Sequence, residues 1–269
     1  ICEPHQPKIS IRDLIGKAAY AKTTINGNFI TQYAVFSEDM QDRIDEEQKI
    51  ESCMEKALRD NEFYVVYQPK ISLKTERIVG AEALVRWSNK EYGLLPPSRF
   101  VPLFEKNGFI VKLDFFVYEH VFRFLQQERD AGRPVVPISV NMSRSHANPE
   151  QFIKEFKTLF QKYNIPPSLI EVEIIERTSE TGKFFQLELT NLLHQNGFSV
   201  AMDDFGSGES SLNMLSSIPV DVLKFDQNFL KTTTDDERSA GFITKLVEMG
   251  KELNKSTVFE GVETKRQIE

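Results

Sequence analysis

Two strand-like runs stand close together near the middle of the chain: Tyr64–Ile71 (Tyr-Val-Val-Tyr-Gln-Pro-Lys-Ile) and Ile78–Trp87 (Ile-Val-Gly-Ala-Glu-Ala-Leu-Val-Arg-Trp). Both are rich in β-branched and aromatic residues, which favour strands. Only six residues, Ser72–Arg77, separate them. A parallel pair needs a crossover of roughly a dozen residues or more, so this connection can only turn the chain back on itself. The stretch therefore predicts an antiparallel pair that opens a sheet.

Downstream of this pair, strand patterns alternate with helical patterns. The further strand candidates are Val136–Asn141, Ile170–Glu176, Phe198–Asp204, Val222–Asp226 and Thr257–Val262. The helical patterns are Ser98–Asn107, Phe115–Arg129, Pro149–Tyr163, Lys183–Gln195 and Ala240–Leu253. Such alternation predicts a largely parallel sheet. We expect an α/β fold, a modified TIM (β/α)8 barrel with one antiparallel strand, whose last strand and helix are missing from this chain. An open doubly wound sheet is the alternative and needs no missing strand.

The first 60 residues have a different texture. Residues 1–38 combine a helical pattern at Ile11–Ala21, a turn at Asn26–Asn28 and a strand-like run at Phe29–Phe36. Residues 39–60 are rich in charge, with apolar residues at helical spacing, and predict an amphipathic linker helix. We therefore divide the chain into residues 1–38, 39–60 and 61–269. Because it begins at Ile1 and stops at Glu269 in mid-pattern, we expect it to be a fragment.

Composition narrows the class of protein. Of 269 residues, 40% are hydrophobic and 27% charged, which indicates a globular chain. Thirty-three basic against 40 acidic residues give a net charge of −7, which argues against binding long nucleic acid but not against a small anionic ligand held through metal. Two cysteines without metal-ligand spacing indicate a reducing, cytoplasmic setting. No apolar run approaches the roughly 18 residues of a membrane span.

Polar residues interrupt the apolar strands near their carboxyl ends. They are Glu82, Asn141, Glu173 with Glu176, Asp203 with Asp204, Lys224 with Asp226, and Glu260 with Glu263. In a barrel these ends share one mouth, where so many anions repel one another unless cations lie among them. The acidic and amide oxygens suit Mg²⁺ or Mn²⁺ better than Zn²⁺. Adjacent Asp203 and Asp204 can both reach the mouth at a strand end, which allows two metals to activate a water against a phosphodiester.

Seven motifs then agree in order and spacing with one family. They are Tyr67–Pro69, Gly80–Trp87, Ser139–Ser143, Val172–Glu176, Asp203–Gly208, Asp221–Asp226 and Glu260–Thr264. From about Glu62 to its end, the chain resembles the EAL family of cyclic-di-GMP phosphodiesterases. The resemblance implies metal-dependent hydrolysis of cyclic di-GMP to linear pGpG by a two-metal site holding Mg²⁺ or Mn²⁺, with Ca²⁺ expected to inhibit.

The resemblance also implies a role for each site residue. The metal ligands would be Glu82, Asn141, Glu173, Asp203, Asp204 and Glu260, with Asp203 shared between the metals. Lys224 would act on the attacking water and is grouped with Glu82, Asp203 and Asp204 as catalytic. Gln68, Arg86 and Asp226 would bind substrate, although Arg86 and Glu176 could instead form an ion pair at the rim. Glu176 would anchor the loop after Asp204.

Two departures and one rival function accompany this resemblance. Glu209 stands where the family usually has Tyr or Phe, and Phe225 stands where it usually has Ile. The rival is a catalytically weak or inactive receptor for cyclic di-GMP. Such receptors generally lose the equivalents of Glu82, Asp203, Asp204 or Lys224, and this chain keeps all of them. Glu209 is the feature that favours the receptor.

The first segment carries a second resemblance. Ile1–Glu3, Leu14–Lys22 and Tyr33–Phe36 resemble the carboxyl end of a GGDEF, diguanylate-cyclase-like domain. Residues 1–38 would then be the remnant of that domain, 39–60 the linker and 61–269 the EAL barrel. The expected partners are cyclic di-GMP, a second copy of the barrel in a homodimer, and an upstream GGDEF-like or sensor domain. The expected location is the cytoplasm, with membrane tethering left to segments outside this chain.

Overall fold

The computed structural model describes residues 10–25, 33–175, 179–206, 217–231 and 237–268. The chain divides into two compact units, residues 1–60 and residues 61–269. In the described ranges no helix combines the length and apolar character needed to cross a bilayer.

The described part of the first unit contains two helices, α1 (Ile11–Thr23) and α2 (Glu38–Arg59). Each begins after a serine whose Oγ accepts a hydrogen bond from a backbone N–H of the first turn, Ser10 from Asp13 and Ser37 from Met40. Both helices were predicted. The strand expected at Phe29–Phe36 is wrong over residues 33–36, which have no regular structure. Residues 26–32, with the predicted turn and the rest of that run, lie outside the described residues.

The second unit is built around one sheet. Its strands are β1 (Phe63–Ile71), β2 (Ile78–Asn89), β3 (Gly93–Leu95), β4 (Ile138–Met142), β5 (Ile170–Ile175), β6 (Ser199–Asp203), β7 (Val222–Phe225) and β8 (Ser256–Phe259). The antiparallel pairing of β1 with β2 is confirmed, and β2, β4, β5, β6, β7 and β8 follow in parallel. The short β3, which pairs antiparallel with β2, was not predicted.

Helices connect most of the parallel strands. They are α3 (Pro97–Asn107), α4 (Ile110–Asp130), α5 (Pro149–Phe160), α6 (Glu180–Gln195), α7 (Gln227–Lys231), α8 (Glu237–Glu252) and α9 (Lys265–Ile268). The residues at which they begin and end are ones typical of helix termini. Asn148 caps α5, which has Pro149 in its first turn, and α3 ends at Gly108, whose φ of 80° lies in the left-handed region.

The sheet is curled as in a barrel. Its order, β1-β2-β4-β5-β6-β7-β8, follows the chain without the reversal that defines a doubly wound sheet. In a flat sheet β2 and β7, four places apart, would be separated by roughly 19 Å at about 4.8 Å per strand. Yet Lys224 on β7 lies 3.1 Å from Glu82 on β2. The expected α/β barrel architecture is confirmed, and the open doubly wound alternative is excluded.

Aromatic side chains fill the space between sheet and helices. Phe122 on α4 packs against Phe156 and Phe160 on α5, and both of these also contact Phe198. A second aromatic cluster surrounds Trp87, which is 0% exposed and packs against Phe63, Phe100 and Phe104. The indole N–H of Trp87 donates to Glu62 Oε2 at 3.0 Å, so its one polar atom is satisfied.

Candidate functional site

Lys224 lies at the centre of the site. Its Nζ is 3.1 Å from Glu82 Oε2, 2.5 Å from Glu173 Oε2, 2.9 Å from Asp203 Oδ1 and 2.9 Å from Glu260 Oε1. These carboxylates come from β2, β5, β6 and the residue after β8. The side chains of Lys224 and Glu173 are 1% and 0% exposed, so this pair is buried, whereas Glu260 is 39% exposed and faces the mouth.

Asn141 joins this group through Glu82. Its Nδ2 donates to Glu82 Oε1 at 2.9 Å, so the two oxygens of Glu82 are bound by different strands. The backbone oxygen of Asn141 accepts a hydrogen bond of 3.1 Å from the hydroxyl of Tyr118 on α4. The structure therefore brings together six of the residues predicted from the strand ends: Glu82, Asn141, Glu173, Asp203, Lys224 and Glu260.

The charges of this group are strongly coupled. Burial raises the pKa of Glu173 to about 7, and Glu82 and Asp203 add to the rise against the opposing effect of Lys224 and Lys70. Burial alone would lower the pKa of Lys224, but Glu173, Glu82 and Asp203 outweigh it and raise that pKa. The surrounding carboxylates therefore favour the protonated, ammonium form of Lys224.

The carboxylates are directed at Lys224 rather than at a metal position. Across residues 10–25, 33–175, 179–206, 217–231 and 237–268, no three acidic, histidine or cysteine side chains form a group arranged to hold a metal ion. The donor set nevertheless fits a hard cation, since it offers carboxylate and amide oxygens. A metal would take over oxygens that now accept from Lys224.

Asp203 and Asp204 occupy the end of β6 as the sequence predicted. Asp204 has a φ of 52°, in the left-handed region that non-glycine residues rarely adopt. Burial, then the charges of Asp203 and Asp226, raise the pKa of Asp204. Asp226 Oδ1 also accepts from the backbone N–H of Asn228 at 2.8 Å, so this residue caps the turn that begins α7.

Two of the three predicted substrate contacts, Gln68 and Arg86, lie on the first two strands, whereas Asp226 follows β7. Gln68 pairs in register with Glu82 and is exposed. Arg86 lies on the same face of β2 as Leu84, two positions further along the strand. Its side chain is half-buried, and its Nη1 donates to the backbone oxygen of Val85 at 2.9 Å. Glu176 and Glu209 lie outside the described residues, so the loop anchor and the loop departure stay predictions.

Phe225, which departs from the family pattern, belongs to the packing behind the site. It is 0% exposed, stacks on Phe259 at 4.7 Å between ring centroids, and meets Phe205 edge-on at 5.6 Å. Because residues alternate along a strand, Phe225 faces away from the side of β7 that carries Lys224. The aromatic side chain therefore helps to hold β7, β8 and the residue after Asp204 together.

Sequence reasoning missed two charged residues of the interior, Lys70 and Glu171. Lys70 Nζ donates to Glu171 Oε1 at 2.8 Å and to Glu173 Oε1 at 3.0 Å. The residues predicted from strand ends lie at the carboxyl ends of the parallel strands. Because β1 is antiparallel to β2, its carboxyl end, where Lys70 lies, is at the opposite edge of the sheet. The available signal was a lysine near the end of a strand rich in apolar and aromatic residues.

Fold and site together define an α/β barrel with an acidic mouth organised around a buried lysine. The EAL domain family matches residues 52–269, and the chain belongs to that family. It is 32% identical over 236 residues to the cyclic di-GMP phosphodiesterase PdeR of Escherichia coli K12, covering 88% of this chain and 35% of PdeR. It is 30% identical over 256 residues to the oxygen sensor protein DosP of the same organism, covering 95% of this chain and 32% of DosP.

Solved structures agree with this assignment. The structure of the MucR phosphodiesterase in complex with c-di-GMP has a TM-score of 0.74 and 30% identity, covering 82% of this chain and 89% of that chain. An EAL domain protein from Listeria monocytogenes has a TM-score of 0.67 and 29% identity, covering 81% and 85%. The chain spans about a third of the length of the curated relatives that it matches.

Proposed function

We propose that this chain hydrolyses cyclic di-GMP to linear pGpG with Mg²⁺ or Mn²⁺. The observation that carries the proposal is the convergence of Glu82, Glu173, Asp203 and Glu260 on Lys224 at one end of the barrel. Support for the substrate comes from relatives that are named cyclic di-GMP phosphodiesterases and from the MucR complex with c-di-GMP.

The metal ligands we propose are Glu82, Asn141, Glu173, Asp203, Asp204 and Glu260. Bound Mg²⁺ or Mn²⁺ would supply Lewis acidity and ease the deprotonation of water. With these carboxylates holding the metal, the ammonium of Lys224 would be available to donate to the attacking water. In this proposal Lys224 orients and polarises the water as an ammonium donor. A carboxylate oxygen of the mouth is the base that the described residues offer.

Arg86, Gln68 and Asp226 hold the substrate in this proposal. The planar guanidinium of Arg86 suits two phosphate oxygens. In the hydrolysis, the water oxygen bonds to phosphorus while the bond from phosphorus to the leaving ribose oxygen breaks. That oxygen gains a proton, and the ring opens to a linear dinucleotide. Homodimerisation through the barrel and a GGDEF-like or sensor domain upstream belong to the same proposal.

Substitution of Lys224 and Glu82 tests the catalytic part. Lys224→Ala should lower kcat by about 10²-fold or more and leave the affinity for cyclic di-GMP largely intact, because its role is greatest in the transition state. Glu82→Ala should abolish turnover and also weaken metal-dependent binding of the dinucleotide. Lys74→Ala, in the exposed turn between β1 and β2, is the matched control. The measurements are pGpG formation with Mg²⁺ and calorimetric affinity with Ca²⁺.

The choice of cation provides a second test. Mg²⁺ or Mn²⁺ should support turnover, whereas Ca²⁺ should compete without supporting it, because its longer and looser coordination misplaces the water. Dependence on Zn²⁺ with indifference to Mg²⁺ would contradict the proposed ligand set.

The receptor is the second candidate, and Glu209 is the sequence feature that favours it. A wild-type protein that binds cyclic di-GMP tightly but releases no pGpG with Mg²⁺ or Mn²⁺ would decide for the receptor. Glu209→Tyr, which restores the usual residue of the family, should raise turnover if the loop after Asp204 limits the enzyme.

A further inference from the structure

A second buried ionic cluster lies on the inner face of the sheet, and the proposed function uses only one of its members. Lys70 Nζ donates to Ser139 Oγ at 2.5 Å, to Glu171 Oε1 at 2.8 Å and to Glu173 Oε1 at 3.0 Å. Ser139 Oγ in turn donates to Glu171 Oε1 at 2.6 Å. The side chains of Lys70 and Glu171 are each 15% exposed. This Lys70 cluster (Lys70, Ser139, Glu171 and Glu173) adjoins the Lys224 group through Glu173.

Glu173 is bound by a different lysine at each oxygen. Its Oε1 accepts from Lys70 on β1, and its Oε2 accepts from Lys224 on β7. Two donors on opposite sides of a carboxylate fix both its position and the orientation of its plane. Lys224 is the donor that a bound metal would displace, whereas Lys70 keeps its contact to the other oxygen.

The strands make room for Lys70 to reach this position. In the β1–β2 register Lys70 lies opposite Gly80. A Cβ at Gly80 would lie 3.6 Å from Lys70 Cδ, 3.8 Å from Lys70 Cβ and 3.3 Å from the backbone oxygen of Pro137. The stem of Lys70 therefore packs over the one position of β2 without a side chain. An alanine Cβ at Gly80 would make ordinary van der Waals contact with that stem and a tight one with the Pro137 oxygen, so only a longer side chain would compete with the stem for space.

We propose that Lys70 is a positioning residue: Glu171 and Ser139 orient its ammonium, which holds Glu173 Oε1 so that Oε2 points into the mouth of the barrel. The part of this inference that concerns metal affinity rests on the proposed function, because it takes Glu173 to be a metal ligand. The part that concerns the orientation of Glu173 does not depend on that function.

Replacing Lys70 should change the affinity for a cation, and the direction of that change distinguishes a positioning role of Lys70 from a simple effect of its charge. Removal of a positive charge beside a cation site should by itself strengthen cation binding. Loss of positioning should weaken it. The double substitution Lys70→Met with Glu171→Gln removes one charge of each sign, so the net charge of the Lys70 cluster is unchanged. Methionine keeps an unbranched stem that packs over Gly80.

The experiment measures Mn²⁺ binding by calorimetry and determines crystal structures in EDTA. It compares wild type, Glu171→Gln, the Lys70→Met/Glu171→Gln double variant and the control Lys74→Met. In the double variant we expect Glu173 Oε2 to leave Lys224 and the Kd for Mn²⁺ to rise at least fivefold above wild type and above Glu171→Gln. Lys74→Met should match wild type. Lys70→Arg, which keeps a charged donor, should recover part of the affinity.

Two results would overturn the proposal. The first is a crystal structure of the double variant in which Glu173 has not moved. The second, provided that wild type binds Mn²⁺, is a double variant whose Kd for Mn²⁺ equals that of Glu171→Gln. If wild type takes up no Mn²⁺ while Glu173 moves in the double variant, positioning by Lys70 is supported and the metal-dependent function fails. If circular dichroism shows the double variant to be unfolded, Lys70→Gln with Glu171→Gln replaces it, since the two amides can hydrogen-bond each other.

Discussion

Asp204 combines a carboxylate with a backbone conformation that suits few residues. At a φ of 52°, Asn and Asp are tolerated better than other non-glycine residues. Asp204→Asn and Asp204→Ala both remove the charge, but only alanine carries the full conformational cost. We expect Asp204→Ala to unfold with about 1 kcal/mol less free energy than Asp204→Asn, as measured in urea with EDTA present. Equal stabilities of the two variants would show that this backbone is not strained.

The sequence was sufficient to predict which residues lie at the mouth of the barrel but not which of them contact one another. Glu82, Asn141, Glu173, Asp203 and Glu260 were found because parallel strands expose their carboxyl ends at one edge. Lys224 was also predicted as a site residue. Its position between four carboxylates was not, because that position depends on the curl of the sheet. The role of Lys70 required the register of β1 with β2 and the small size of Gly80.

Among the elements, two glycines of the second unit should respond oppositely to alanine. Gly108 ends α3 with a φ of 80°, which alanine adopts at a cost, while Gly241 lies within α8, where alanine is the better helix former. At neither position would a Cβ meet an atom within 4 Å, so the comparison isolates backbone conformation. We expect Gly108→Ala to lower the free energy of unfolding by about 1 kcal/mol and Gly241→Ala to raise it by about 0.5–1 kcal/mol. Urea unfolding at constant pH measures both, and a shift of the same sign in both would contradict the argument.

Errors of element prediction fall where local sequence is least informative. β3 has only three residues and forms because β2 continues to Asn89 and pairs with Gly93–Leu95, a tertiary event that no periodicity records. Tyr33–Phe36 has the apolar, aromatic character of a strand, but no neighbouring strand pairs with it in the described part of the first unit. The long elements were predicted because their period and caps agree with the final fold.

For the whole barrel, raised carboxyl pKa values predict how stability depends on pH without metal. Burial, followed by the charges of Glu82 and Asp203, raises the pKa of Glu173 from 4.5 to about 7. Because the pKa of Glu173 is higher in the folded state than in the unfolded state, the protonated carboxyl favours folding. This contribution is fully present below pH 4.5 and is lost as the pH rises through 7. Asp204 and Glu260 shift in the same direction, each chiefly through burial. We expect the protein in EDTA to lose on the order of 1–3 kcal/mol of stability through Glu173 between pH 5 and pH 7.5.

Glu173→Gln is the control for that prediction, because glutamine cannot titrate. The difference in unfolding free energy between wild type and this variant should shift in favour of the variant as the pH rises. Saturating Mn²⁺ should remove the effect in wild type, since the cation binds the ionised carboxylates of the folded state. A difference between the two proteins that stays constant from pH 5 to pH 7.5 would refute the assignment to Glu173.

Trp87 is a fluorescence probe for one of the two units only. It is the only tryptophan of the chain, and it lies buried in the unit of residues 61–269 beside three phenylalanines. Intrinsic fluorescence excited at the indole band therefore reports the barrel and is blind to residues 1–60. Far-ultraviolet circular dichroism includes α1 and α2 as well. Overlaying the two melting curves will reveal whether the units unfold as one cooperative system, in which case the curves coincide, or in separate steps.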